Sequence, residues 1–599
     1  MLMWTCVALA AAPWLVVLRA RIGGLASLAL VTLAAPALLL LLMVAARAAS
    51  APLLETLVGA LALAGIAGLA LGLRSGVSWR SRGASKVTDV LPAALGGTVA
   101  LGTFMAARLL PGSPRVSWAM LGDSASQLVN ARQVLSAGGL TPPPMANPVP
   151  LPSAIIAAVS APGRPTTGEG AILSHDLAAL ATTWAALIVI TCLLAGAVGY
   201  AVVHHSRGLS PRLGRATVAA TSLLPLGWFW TGYPVKFGFI NAHVIFVVLL
   251  ASILAYFGTL RRPVMGLAMQ ALAIVLTVLT WSPLAVIPAA LALVLAAGAL
   301  RSLARKSRGV RVASLVVAVA GLGGVAALGI PMLAEARGAL SVGGGLAEFP
   351  KLMLPAAAIM LVSLTFAASR RADSGRSGLI SIGVASLVGL GAIVVLSGTV
   401  SGPWSYYPHK YAWIATAILV IVALPQATSA VARVPAARLR VGLYGAGTLA
   451  LAASLGLGSW WAPGNLHFLR GSVPYLILVE DDLPDEGQSP DAVADAVVAR
   501  VGLSRLTIPW ESRLANDYRA AFWLIQLRRE EALRTGDGSS SAGLWTLANF
   551  HESPADLCTL AGLVPEGLTV ETSNATLASQ VAEQCPWADL RIERDAPTS

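Results

Sequence analysis

Apolar residues in this chain gather into runs of about twenty, the length a helix needs to cross a bilayer core. The pattern predicts fourteen spans, near 2–18, 25–46, 52–73, 89–110, 177–203, 216–232, 241–259, 264–281, 284–300, 312–333, 351–369, 378–398, 411–429 and 441–459. The first span has no basic segment before it and no small-residue cleavage site, so it reads as a membrane helix rather than a leader. The segment 111–176 is the longest connection. In it Asp123 opens an amphipathic stretch, with Leu128, Val129, Val134 and Leu135 on one face. Gly138 and Gly139 stop that helix, which is expected along the membrane surface. Pro142 to Pro144, Pro148, Pro150 and Pro152 then predict an extended path dipping back over the bundle. The pattern changes at 464. Residues 464–599 mix a strand, VPYLILVE, with amphipathic helices at 490–502 and 517–534 and a strand–helix–strand run, LTVETS, NATLASQVAEQ, LRIER. The expected fold is an all-α polytopic membrane bundle over 1–463, with a small α/β domain over 464–599.

Composition narrows the class. Of 599 residues, 56% are apolar and 12% charged, and mean hydropathy is +0.75. Soluble domains carry about twice that charge, so soluble and disordered chains are both excluded. The net charge of +13 divides unevenly: 464–599 has 10 Arg, no Lys and 20 Asp and Glu, against 31 basic and 8 acidic residues before it. Twenty-two of those 31 basic residues fall in every second inter-span loop, at 19–21, 74–86, 207–215, 261–262, 301–311, 370–376 and 433–440. The positive-inside rule makes those loops cytoplasmic. The N-terminus and the acidic domain are then extracytoplasmic on a multi-pass protein, and the basic charge answers to the lipid bilayer rather than to nucleic acid. Many Ala, Gly, Val and Arg with few Lys suggest a GC-rich bacterium, hence its plasma membrane.

Cys6 and Cys192 lie inside spans and read as inert. Cys558 and Cys585 share the outer domain, where an oxidising compartment favours a disulfide; two buried thiols are the alternative. His204 and His205 read as loop residues.

Five acids of the membrane part fall on the outer side: Asp123, Asp176, Glu348, Glu335 and Glu169. Asp123 follows a Gly at the outer end of a span, where a carboxylate can serve as base or metal ligand. Its other reading is a helix cap. Nine basic residues fall outside the cytoplasmic loops, and two sit among aromatics: Lys236 in WFWTGYPVKFGFINAH and Lys410 in PWSYYPHKYAW. A cation at the outer interface can hold a lipid phosphate, while Tyr and Trp rings meet a sugar or the headgroups. Lys410, His409, Lys236 and Arg132 are the phosphate candidates; Trp404, Tyr406, Tyr407 and Tyr233 are the sugar candidates. An ordinary aromatic belt with snorkelling lysines is the alternative.

The run GDSASQLVNARQVLSAGG in the first large outer loop resembles that of polyprenyl-phosphate-sugar-dependent glycosyltransferases of the GT-C superfamily. SGPWSYYPHKYAWIA resembles a patch of actinobacterial membrane proteins grouped with them. A bundle followed by an outer domain is similar to the arabinofuranosyltransferases. The resemblance implies an inverting enzyme that moves a sugar, arabinofuranose by this analogy, from a polyprenyl-phosphate donor to a cell-envelope glycan acceptor. It implies Asp123 as base or as neighbour of a divalent cation, Mg or Mn. The metal stays unknown, because the loop has no paired acids. Two other classes fit the architecture: a lipid-linked-sugar transporter or flippase, which would need ionisable residues in mid-span, and a non-enzymatic envelope scaffold.

Overall fold

The computed structural model describes residues 2–75, 87–141, 147, 149–205, 209–303, 349–368, 374–399, 402–435, 489–514, 516–549 and 553–594. The helices of the membrane part are α1 (Leu2–Ile22), α2 (Gly24–Ala48), α3 (Leu53–Arg74), α4 (Val87–Leu109), α5 (Ser124–Ser136), α6 (Pro150–Ser160), α7 (Ile172–His205), α8 (Pro211–Leu223), α9 (Tyr233–Lys236), α10 (Ile240–Thr259), α11 (Pro263–Trp281), α12 (Val286–Leu303), α13 (Met353–Ala368), α14 (Ser374–Gly398) and α15 (Tyr406–Val431).

Among these residues nine stretches are long and apolar enough to cross a membrane, and one of them, Pro263–Leu300, joins α11 to α12. Two further expected spans, 312–333 and 441–459, lie outside the described residues, as do Glu335, Glu348 and the strand VPYLILVE. The span expected at 351–369 is a helix of 16 residues. Helix α10 is almost wholly buried and packs on α2, α7 and α11. Leu41, Leu63, Leu69 and Leu73 of α2 and α3 are exposed. A water-facing protein avoids such a contiguous apolar surface, whereas hydrocarbon accepts it.

Three expectations are corrected. The span expected over 216–232 is broken. Ser210 caps α8 by accepting from the Leu213 amide, and Pro211 sits in its first turn. Pro225 supplies no N–H to continue the helix, Gly227 is extended, and Trp228–Gly232 forms a single wide π-type turn. The extended path expected through Pro150 and Pro152 is instead helix α6, buried along all its length. A proline in a helix's first turn lacks only an amide that would be unpaired anyway, so the two prolines start this helix. His204 and His205 are the last residues of α7, not loop residues.

In the C-terminal sheet domain lie α16 (Ala492–Val501), β1 (Leu506–Pro509), α17 (Asp517–Thr535), α18 (Gly538–Asn549), α19 (Pro554–Leu563), β2 (Leu568–Thr572), α20 (Leu577–Gln584) and β3 (Leu590–Arg594). The strands form a parallel sheet in the order β1-β2-β3, Leu506 pairing with Leu568 and Leu568 with Leu590. Helices fill both crossovers, as parallel pairing requires. The strand–helix–strand reading of 568–594 holds. Cys558 and Cys585 are bonded, S–S 2.07 Å.

The domain sits on the long loop. Trp523 Nε1 donates to the Met120 carbonyl at 3.0 Å, and Arg132 Nε pairs with Glu530 at 2.7 Å. At the opposite end of the bundle Arg262 donates to the Arg21 carbonyl at 2.7 Å. Loops that the charge pattern assigns to one face thus meet one another.

Candidate functional site

The site forms where the long loop meets the turn between α9 and α10. The Asp123 amide donates to the Phe237 carbonyl at 3.0 Å. Both chains need glycine here. Gly122 has φ +44° and Gly238 φ +68°; a Cβ on Gly122 would lie 2.3 Å from the Phe237 oxygen, and one on Gly238 would lie 2.0 Å from the Leu121 oxygen. Left-handed backbone at such close approach admits only glycine. Trp184 Nε1 of α7 donates to Ser124 Oγ at 3.3 Å, holding the start of α5.

The broken segment is pinned to α15. Trp413 Nε1 donates to the Phe229 carbonyl at 2.9 Å, and Trp230 Nε1 donates to the Ala417 carbonyl at 3.0 Å. This brings Tyr233 to 5.0 Å from the Trp413 ring. It also sets Phe239 beneath Lys410, whose Nζ lies 3.6 Å from the ring centroid. Nζ donates to Tyr406 Oη at 3.0 Å. Lys410 is 4% exposed, so its charge is held by one hydroxyl, the faces of the Phe239 and Tyr406 rings and the nearby Asp123 rather than by water.

Asp123 is half-buried. It stands at the N-cap of α5 with φ −60°, ψ −7°, and its side chain makes no cap hydrogen bond. The cap reading is therefore not realised: the carboxylate is left over after the helix has started. Burial pushes this carboxyl above the usual range, and Lys410 pulls it part of the way back. Its charge is also felt at the hydroxyls of Tyr406 and Tyr407.

Asp123, Lys410, Tyr406, Tyr407 and Tyr233 thus come together. The other candidates lie apart from this group. His409 holds the backbone of Phe349, with Nδ1 3.1 Å from its amide nitrogen, and packs against Trp404 at 5.7 Å. Lys351 lies 5.8 Å from the Trp404 ring centroid. Lys236 is exposed. Arg132 is taken up by carboxylates, Asp176 at 2.8 Å and Glu530 at 2.7 Å. Asp176 is fully buried; it also accepts from Ser160, and from Arg164 through Nη2 at 2.6 Å and Nε at 2.9 Å. It is saturated and serves packing.

Sequence reasoning missed Phe239 and the two docking glycines. The GYPVKFGF run carried the signal, since a glycine between two aromatics marks a close backbone approach.

The group can take a proton at Asp123 and meet an anion at Lys410. Among the described residues, an ammonium and tyrosine hydroxyls rather than a second carboxylate stand around Asp123. That donor set fits a proton acceptor better than a Mg or Mn site, which wants several hard oxygen ligands. No family model, curated protein or solved structure matches this chain.

Proposed function

We propose that this chain is a GT-C-type membrane glycosyltransferase, transferring a sugar from a polyprenyl-phosphate donor to a cell-envelope glycan on the outer face of a bacterial plasma membrane. The acceptor hydroxyl gives its proton to Asp123 Oδ, and the acceptor oxygen bonds to the sugar's anomeric carbon. The bond from that carbon to the phosphate oxygen breaks, and polyprenyl phosphate leaves with the electron pair. Lys410 meets the charge that grows on the leaving phosphate, a stabilisation strongest where water is excluded. Tyr406, Tyr407 and Tyr233 border the sugar. On the charge pattern the N-terminus and the sheet domain lie outside. No step is routed through a metal.

The single observation that carries this reading is the Asp123 carboxylate, free of any capping bond and set beside a buried lysine. The test is transfer by the purified protein in lipid vesicles, from a panel of labelled polyprenyl-phosphate sugars that includes arabinofuranose. Wild-type transfer that Asp123→Asn abolishes supports the reading. Near wild-type transfer by that variant would sink it.

A further inference from the structure

Among the described residues, polar contacts tie the sheet domain to the long loop at three places, and they bracket Asp123. Ahead of it, the Asp491 carboxylate accepts from the consecutive amides of Arg115, Val116 and Ser117 at 2.9 to 3.0 Å. These amides open the short turn Ser117–Ala119, so an anion from the other domain occupies the end of the turn where N–H groups project. Next, the Met120 carbonyl, three residues before Asp123, accepts from Trp523, a fully buried side chain. Beyond it, Arg132 on α5 is pinned between Glu530 of the sheet domain and Asp176 of α7. Helix α17 packs along α5 between these contacts.

We propose that the sheet domain is the device that holds Asp123 in register with Lys410, with Asp491 and Trp523 as positioning residues. This rests on the reading of Asp123 as the base. Among the described residues, the amides of Arg115, Val116 and Ser117 and the Met120 carbonyl are satisfied by a domain almost four hundred residues away in sequence, while the Ala119 and Met120 amides bond back to Val116 and Ser117 within the run. A base must stand within hydrogen-bond reach of the proton it takes. A tether that fixes the chain on both sides of the base sets that distance. If the contacts served only to keep the domain attached, loosening one of them would leave Asp123 where it is.

Two measurements on the full-length protein decide this. The first is the rate at which a water-soluble carbodiimide modifies Asp123, read by mass spectrometry of its peptide. It reports on the seat of Asp123 whatever reaction the protein performs. Asp491→Ala and the gentler Trp523→Phe, which keeps the packing and loses the indole N–H, should each raise that rate severalfold. Asp589→Asn, on a surface ion pair with Arg505 away from the loop, should not. The second is transfer kinetics: both positioning variants should lower kcat by roughly tenfold or more, as small misplacements of a reacting group do, with donor KM unchanged. Unchanged labelling in both variants overturns the proposal. Faster labelling with unaltered kcat also overturns it, because the tether would then hold the loop without serving the base. A wild-type protein without transfer activity defeats the glycosyltransferase reading instead, and the labelling still decides the tether.

Discussion

The Asp123 amide and the Phe237 carbonyl meet at 3.0 Å, and this bond between two loops helps to place the carboxylate on which Lys410 acts. It forms because Gly122 and Gly238 let two backbones touch. Gly238→Ala should therefore cost more than a change of backbone preference. The new methyl would meet the Leu121 oxygen at 2.0 Å and the Asp123 nitrogen at 2.5 Å, so the loops must part. The expected loss is about 1–3 kcal/mol, with transfer falling in step. Gly112→Ala is the comparison: φ is +86° but its Cβ would find open space, so only the backbone strain of roughly 1 kcal/mol remains. Equal losses of thermal stability in the two variants would show that the loop contact contributes nothing.

Most spans were legible because a bilayer imposes length: an uninterrupted apolar run of twenty has few other fates. Helix α6 was not, since Pro150 and Pro152 mark a helix start as readily as an extended segment, and only burial on every side decides. The break at Pro225 and Gly227 was hidden by the hydrophobicity around it, which a membrane interior and a buried turn both accept. In the site, Asp123 and Lys410 stood out because charge is scarce there. Arg132 misled: its partner Glu530 lies 398 residues away, and no local pattern reports such a pairing. A separation of 374 to 376 residues likewise hid Asp491, whose carboxylate looks in sequence like any helix-starting acid.

Asp123→Asn separates chemistry from capping. Asparagine caps a helix as well as aspartate does, so a capping role predicts little change in rate. A base predicts loss of at least roughly a hundredfold. Stability should move the other way. The folded carboxyl is raised by burial, so its ionised form costs stability at neutral pH, and that cost fades as pH falls through the raised value. The variant should melt at the same temperature as wild type or higher at pH 7, and any gain should vanish in acid. A thermal-shift series across pH reads this directly.

Lys410→Met tests the electrostatic link. Lys410 lowers the Asp123 carboxyl against the larger effect of burial. Removing the ammonium should leave the carboxyl higher still. The base works only when ionised, so the acid limb of the kcat profile should shift to higher pH, and donor KM should rise through loss of the phosphate contact. An acid limb unmoved by the substitution would mean that Asp123 does not set it.

The buried Asp176 makes a different demand. Its oxygens accept from Arg132, Arg164 and Ser160, a set that compensates for taking the charge out of water. Arg164→Met leaves the carboxylate with one cation and one hydroxyl. The expected cost is about 1–3 kcal/mol, less than for an ion left with no partner. Asp176→Asn together with Arg164→Met should recover part of it, since the unpaired charge is then gone. A double variant less stable than the sum of the two single changes would count against the account.

Sidedness gives a test in which three positions must agree. Asp491, Trp523 and Glu530 bind the sheet domain to the loop between α4 and α7, so the two cannot lie on opposite sides of a membrane. The Arg21 and Arg262 loops meet at the other end of the bundle, and the positive-inside rule predicts that end to be cytoplasmic. Ser539 in the domain, Glu169 in the loop and Arg261 at the far end are all exposed. Each can carry a single cysteine for a maleimide that does not cross membranes. Ser539→Cys and Glu169→Cys should label in intact cells, and Arg261→Cys only after lysis. If all three are reversed, the packing stands but the outer face becomes the inner one, and a donor presented outside the cell could not reach Asp123. If Ser539→Cys and Glu169→Cys disagree with each other, the contact between domain and loop is wrong, and the proposed positioning of Asp123 fails with it.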